Sequence, residues 1–171
     1  SLGSTLHFGS RLVGGRDGTL FITLGERSIT EGRMQAQKMD GLLGKIARIN
    51  SDGVLPADNM DQGPKNTRRD VWSTGHRNPL GIAFDPATGK LWIHEMGPLG
   101  GDEFNLIERG ADYGWPAVSN GDHYDRQKIP RHETRPEFKQ PVITWTPVIS
   151  PAGLIFYKGT RFANWTGKAL I

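Results

Sequence analysis

At 171 residues the chain is long enough to bury a real core, and the absence of cysteine excludes disulfides and thiolate metal sites. Hydrophobic residues make up 36% and charged residues 23%, and no apolar run reaches the roughly 20 residues that a membrane-spanning helix needs. The formal net charge is +3 with scattered basic residues, and the one small cluster (Lys65, Arg68, Arg69) reads as a solvated loop rather than a nucleic-acid patch.

The opening SLGSTLHF has no charged start and no apolar centre, so it does not read as a signal peptide. A trimmed chain would look the same, and export stays open. Residues 11–26, RLVGGRDGTLFITLGE, read as a strand, a glycine turn at Gly18 and a second strand, the signature of a β-hairpin. Residues 26–43 predict a short helix. GKIARIN follows, alternating apolar and polar as a half-buried strand does. Residues 51–70, with SDG, PADN and QGP, predict a long polar loop.

A second hairpin follows in residues 82–96, IAFDPATGKLWIHEM, with its turn at Gly89. It runs into HEMGPLGGDEFN, where three glycines and a proline bend the backbone and set Asp102 beside Glu103. Residues 119–141 are loop-like and bounded by prolines. A looser hairpin begins at Gly153, with GLIFY and then GKALI as its strands. The 23 glycines and 11 prolines lie between short β-rich runs, and the chain is predicted to be all-β with many turns.

The three hairpins are related. With Gly18 set on Gly89, Leu20, Phe21 and Ile22 meet Leu91, Trp92 and Ile93. The spacing is about 71 residues and then about 72, and sheet units at long regular intervals predict propeller blades with decorated loops. Ile171 falls inside the third copy's second strand. Residues 1–171 are therefore expected to form a partial propeller of about two to three four-stranded blades. Missing sequence or another copy would supply the remainder. A closed solo β domain is the alternative.

The register also gathers polar residues. His7 falls opposite Asn78, with Arg77 beside it, just upstream of equivalent hairpins. The first strand of a propeller blade lies nearest the axis, so these residues are expected to converge on one channel mouth. His7 suits a general base near neutral pH, Arg77 offers a planar fork for carboxylates, and Asn78 offers an amide. Taken singly, each reads equally as a structural or turn residue. At the far end of the second hairpin, Gly97 and Pro98 carbonyls with the Glu103 carboxylate suit calcium, which takes about six to eight oxygens. A solvated turn is the competing reading there.

Together the strings HFGSRLV, DGTLFITLGER, GKIARINSDGVLPADN, WSTGHRNPLGIAFDP, HEMGPLGGDEFNLI and ADYGWP resemble the soluble pyrroloquinoline quinone (PQQ)-dependent sugar dehydrogenases, the glucose/sorbosone dehydrogenase-like group. The match is closer to the aldose sugar dehydrogenase branch. The resemblance implies a six-bladed β-propeller, a periplasmic or secreted location, and calcium with PQQ at the channel mouth. It implies oxidation of aldoses at the anomeric carbon to lactones, with an external electron acceptor. His7 would take the anomeric hydroxyl proton while hydride passes to the quinone. Arg77 and Asn78 match a cofactor-contacting pair, with Arg77 also polarising the quinone oxygen. Gly97 and Pro98 match carbonyl ligands of the calcium that holds the cofactor. Glu103 and Tyr113 match a further calcium pair, Tyr113 through its backbone carbonyl. Tyr124, Asp125 and Arg126 fall near a cofactor-contacting loop.

Three departures stand against the pattern. Leu80 replaces the usual glutamine, Met96 stands where histidine is common, and further basic cofactor ligands belong to later blades. A sugar- or protein-binding propeller without the chemistry is the rival reading, and a lactonase-like propeller hydrolase ranks below it.

Overall fold

The structure, a computed structural model, describes residues 3–59 and 67–171; Lys65 of the basic cluster lies outside them. Two four-stranded sheets follow one another along the chain. The first holds β1 (Gly9–Gly14), β2 (Thr19–Leu24), β3 (Lys45–Asn50) and β4 (Val71–Ser73) in that spatial order. The second holds β5 (Pro79–Phe84), β6 (Leu91–Glu95), β7 (Asp102–Ile107) and β8 (Ile143–Trp145). Every neighbouring pair is antiparallel. A third hairpin, β9 (Ile155–Phe156) with β10 (Ala169–Leu170), pairs where GLIFY and GKALI predict it.

The all-β expectation holds, and α-helix among the described residues is confined to a single turn, α1 (Thr30–Arg33), inside the predicted 26–43 segment, with two short 3-10 turns at His132–Thr134 and Ala163–Trp165. The shortness of α1 has local causes. Gly32 sits within it, and Ile29 before it offers no side-chain cap. Two expectations change. HEMGPLGGDEFN is not a loop to its end, because Asp102 opens β7 and Glu103 pairs with Glu95 across the ladder. The two acids are therefore buried rather than solvated. And β3 is not half-buried, since Lys45 to Arg48 are all enclosed.

The shared core lies between the sheets. Phe21 on β2 meets Trp72 on β4 and Phe84 on β5 edge-on, at centroid distances of 5.2 and 5.5 Å. Ile46, Ile82, Leu91, Ile93, Ile107 and Tyr113 complete the buried cluster. The first strands meet in series, β1 against β5 and β5 against β9. No helix among the described residues is long and apolar enough to cross a membrane.

Lys45 explains why one face of β3 is covered. Its ammonium donates to the carbonyls of Gln35, Ala36 and Leu43 at 2.7, 2.7 and 2.8 Å, using all three protons. The 35–43 segment is thereby tied down beneath the residues described below. Burial pulls the Lys45 pKa from 10.5 to about 8, against the opposing pull of Asp112 and Asp40. A folded-state pKa below the unfolded value means that the unfolded chain binds the proton more tightly. Stability should therefore rise as pH climbs from about 8 to about 10.5. Lys45→Met removes all three bonds and leaves the Leu43 carbonyl without a donor among the described residues, while Gln35 and Ala36 keep the Lys38 and Gly75 N–H groups at 3.0 and 2.9 Å, and it is expected to cost about 1–3 kcal/mol at pH 7. Denaturant unfolding across pH should show the alkaline rise in the parent and its absence in the variant.

Candidate active site

Antiparallel pairing brings the start of β5 and the end of β6 to one edge, with Pro79 opposite Glu95. The start of β1 and the end of β2 meet in the same way, with Gly9 opposite Leu24. HEMGP therefore leaves its strand at the same end as Arg77 and Asn78.

At the edge of the first sheet, His7 Nδ1 lies 2.7 Å from Glu26 Oε1. Glu26 is fully buried, and its second oxygen accepts the Ser28 N–H at 3.0 Å. The His7 side chain is 13% exposed, and its Nε2 has no partner among the described residues. In the neutral imidazole, an Nδ1–H donated to a carboxylate leaves Nε2 as the ring's acceptor, the position from which a proton can be taken. Gly25 makes the approach possible, because a Cβ there would collide with the His7 carbonyl. The pair is joined to the second sheet twice. The Glu26 N–H donates to the Arg77 carbonyl at 3.0 Å, and the Gly9 N–H donates to Asn78 Oδ1 at 3.2 Å.

The same nineteen-residue spacing recurs one sheet on, in His76 and Glu95, whose Nδ1 and Oε1 are 2.9 Å apart. This second imidazole has no free nitrogen. His76 is fully buried, its Nε2 meets Ser73 Oγ at 2.8 Å, and its ring stacks on Tyr113. Of the two histidines, His7 is the one open to a ligand.

Arg77 is nearly enclosed yet faces a cleft. Its Nη1 donates to the Met96 and Gly97 carbonyls at 3.0 and 2.7 Å, and its Nη2 to the Tyr124 hydroxyl at 3.1 Å. The guanidinium also lies 5.3 Å from the Trp115 ring centroid and 5.8 Å from that of Tyr124. Its Nε is buried without a partner. The cleft, about 260 Å³, is walled by Arg33, Arg77, Pro98, Trp115, Tyr124 and Asp125 among others. Of the predicted 124–126 trio, Tyr124 touches Arg77 and Asp125 lines the cleft. Arg126 does not line it and sits at a positive φ of 68° in the tip of the 123–127 turn. Met96 is held through its backbone, its carbonyl accepting from Arg77 and its N–H donating to the Asn78 carbonyl at 3.3 Å, groups that a histidine would supply equally. Leu80 gives its carbonyl to Arg11 Nε at 2.9 Å.

Beneath the cleft lies a cavity of about 10 Å³ lined by Gly97, Pro98, Glu103 and Tyr113, together with Glu95. The two predicted calcium pairs thus share one small space, about the size of a single water or ion. Asn105 Nδ2 donates to Glu95 Oε1 at 3.2 Å and to Glu103 Oε2 at 3.1 Å, while Asn105 Oδ1 is buried and unpartnered. Burial, with Glu95 beside it, pushes the Glu103 carboxyl well above its ordinary range. Two of the predicted carbonyls already accept one donor each: Gly97 from Arg77 at 2.7 Å, and Tyr113 from His132 Nε2 at 3.0 Å. A carbonyl has a second lone pair for a cation. No group of three or more His, Asp or Glu side chains suited to a metal occurs among the described residues. A cation here would rest on carbonyls with one or two carboxylates, and the two buried acids on the cavity wall fit a hard ion.

Asp102 has a different task. Its Oδ1 accepts the Gly97 N–H, and its Oδ2 accepts the N–H groups of Ile149 and Ser150, each at 2.8 Å. It fixes the Gly97 turn against the chain after β8. Sequence reasoning missed Glu26, Glu95, Asn105, Trp115 and this role of Asp102. The recurring His–Glu spacing was the one signal in the sequence that could have found the first two.

Comparison with known proteins follows the same lines. The profile of the glucose/sorbosone dehydrogenase family matches residues 1–171. The aldose sugar dehydrogenase YliI of Escherichia coli is 40% identical over 167 residues, covering 96% of this chain and 44% of the relative. A crystal structure of a glucose dehydrogenase superimposes with a TM-score of 0.87 at 43% identity, covering 94% of this chain and 46% of the other. The PQQ-bound aldose sugar dehydrogenase of Streptomyces coelicolor gives a TM-score of 0.71 at 30% identity, covering 91% and 41%. The chain spans less than half the length of these relatives.

Proposed function

Because the chain belongs to the glucose/sorbosone dehydrogenase family, we propose that it serves PQQ-dependent oxidation of aldose sugars at the anomeric carbon, giving lactones. Residues 1–171 would be a partial six-bladed propeller, its two four-stranded sheets being successive blades and β9–β10 the start of a third. The series of contacts from β1 to β5 to β9 supports that arrangement, with the first strands innermost. A periplasmic or secreted setting and an external electron acceptor complete the reading.

The observation that carries it is the His7–Glu26 pair, open at Nε2 and tied by its own backbone to Arg77 on the cleft. In this reading His7 Nε2 accepts the anomeric hydroxyl proton, and Glu26 steadies the imidazolium that forms. Arg77 holds charge at the acceptor oxygen from a site pinned by Met96, Gly97 and Tyr124. The quinone, when bound, would supply a two-electron acceptor for the hydride of the anomeric carbon. Arg77 and Asn78, with Tyr124, Asp125 and Arg126 along one wall, would hold it. Gly97, Pro98, Glu103 and Tyr113 would hold Ca²⁺ in the small cavity below.

The test is reconstitution of the complete polypeptide that carries this segment. Adding PQQ and Ca²⁺ should produce dye-linked oxidation of aldoses, and a chelator should remove it. A quinone titration without any absorbance change would instead favour a propeller that binds sugar or protein without the chemistry.

A further inference from the structure

Arg33 is the one strongly charged residue on the cleft that no step above uses. It belongs to α1, which the sequence marks only as a short helix. Its N–H donates to the Ile29 carbonyl at 2.9 Å and its own carbonyl accepts the Ala36 N–H at 3.0 Å, so the backbone is fixed on both sides. Gly32 presses against the Glu26 carbonyl, where a Cβ would collide. The turn that carries Arg33 is thus seated on the residue that orients His7.

The side chain reaches the same cleft as Arg77. Its Nε is buried and has no hydrogen-bond partner, and no carboxylate among the described residues forms an ion pair with it. A desolvated guanidinium nitrogen without a partner is costly unless an anion completes it. Asp125, the acid on the cleft, gives an oxygen to the Gln127 N–H at 3.1 Å. Two guanidinium groups against one carboxylate leave the cleft positive, with Trp115 and Tyr124 supplying flat faces. Such a lining selects a carboxylate, which a guanidinium binds in its own plane.

We propose that Arg33 is a carboxylate-binding residue of this cleft, engaging an acidic group on the bound ligand. The cleft as a ligand site rests on the reading above; the role of Arg33 does not depend on turnover. Two ligands bring that chemistry: the quinone through one of its carboxylates, or a sugar acid such as a hexuronate.

Arg33→Gln and Arg33→Lys in the complete polypeptide separate the sources by equilibrium binding. PQQ is titrated by absorbance and glucuronate by calorimetry. If the quinone is the source, Arg33→Gln weakens PQQ binding by about 10-fold or more, and Arg33→Lys recovers part of it. If the sugar acid is the source, PQQ affinity stays and glucuronate affinity falls by a similar factor. Unchanged affinity for both ligands in variants with parental thermal midpoints overturns the proposal. So does a parent that binds neither carboxylate. A parent that binds glucuronate through Arg33 but not PQQ would sink the quinone reading and leave this one standing.

Discussion

His7→Ala is expected to lower turnover by about 10²- to 10⁴-fold while quinone affinity stays within a few-fold. The asymmetry follows from geometry. The imidazole faces its ligand through Nε2 alone, and its Nδ1 is committed to Glu26 at 2.7 Å. Removing it takes away the proton acceptor and nothing that grips a planar anion, because the guanidinium groups and aromatic faces line the cleft itself. The fold should survive. The His7 backbone carbonyl still accepts the Arg27 N–H at 3.2 Å, and Glu26 keeps its bond from Ser28. Single-turnover kinetics with PQQ bound to saturation makes the measurement. Oxidation at the parental rate would remove His7 from the chemistry and return the role to a group outside the described residues. Loss of quinone binding together with rate would make His7 a wall of the cleft rather than its base.

What could be read from sequence, and what could not, divides along physical lines. Hairpins are local, so Gly18 and Gly89 with their flanking apolar runs announce β1–β2 and β5–β6 directly. β7 was hidden because its strand begins with two acids, and burial of Asp102 and Glu103 depends on partners far away in the chain. Asp102 reaches Ile149 and Ser150 across forty-seven and forty-eight residues. No local pattern encodes that bond. Likewise His7, Arg77 and Asn78 are visible as polar residues at matching places, but Glu26 as the partner of His7 is a tertiary fact. Met96 looked like a departure because a side chain was being compared. The structure uses its carbonyl, which sequence identity does not alter. The pairing of two calcium sites was also a linear reading. Gly97 and Glu103 are six positions apart on a bent chain, and the bend folds both onto one cavity.

Arg77→Lys is expected to cost about 10²- to 10³-fold in kcat, even though the charge is kept. Arg77 serves three acceptors at once from one planar fork. Two carbonyls lie on one side and the Tyr124 hydroxyl on another, and the same guanidinium borders the cleft. An ammonium has three donors diverging from a point and cannot span Gly97 and Tyr124 while also meeting a ligand. Released from Arg77, the Gly97 carbonyl is free to turn. The grip on Ca²⁺ should therefore change along with the rate, so Ca²⁺ affinity measured without quinone is the second readout. The Gly97 turn itself should hold, because Asp102 keeps its N–H from the other side at 2.8 Å. A Lys variant with parental kcat and parental Ca²⁺ affinity would mean that only the positive charge matters. The planar fork, and with it the cleft as a site for a flat anionic cofactor, would then lose its strongest support.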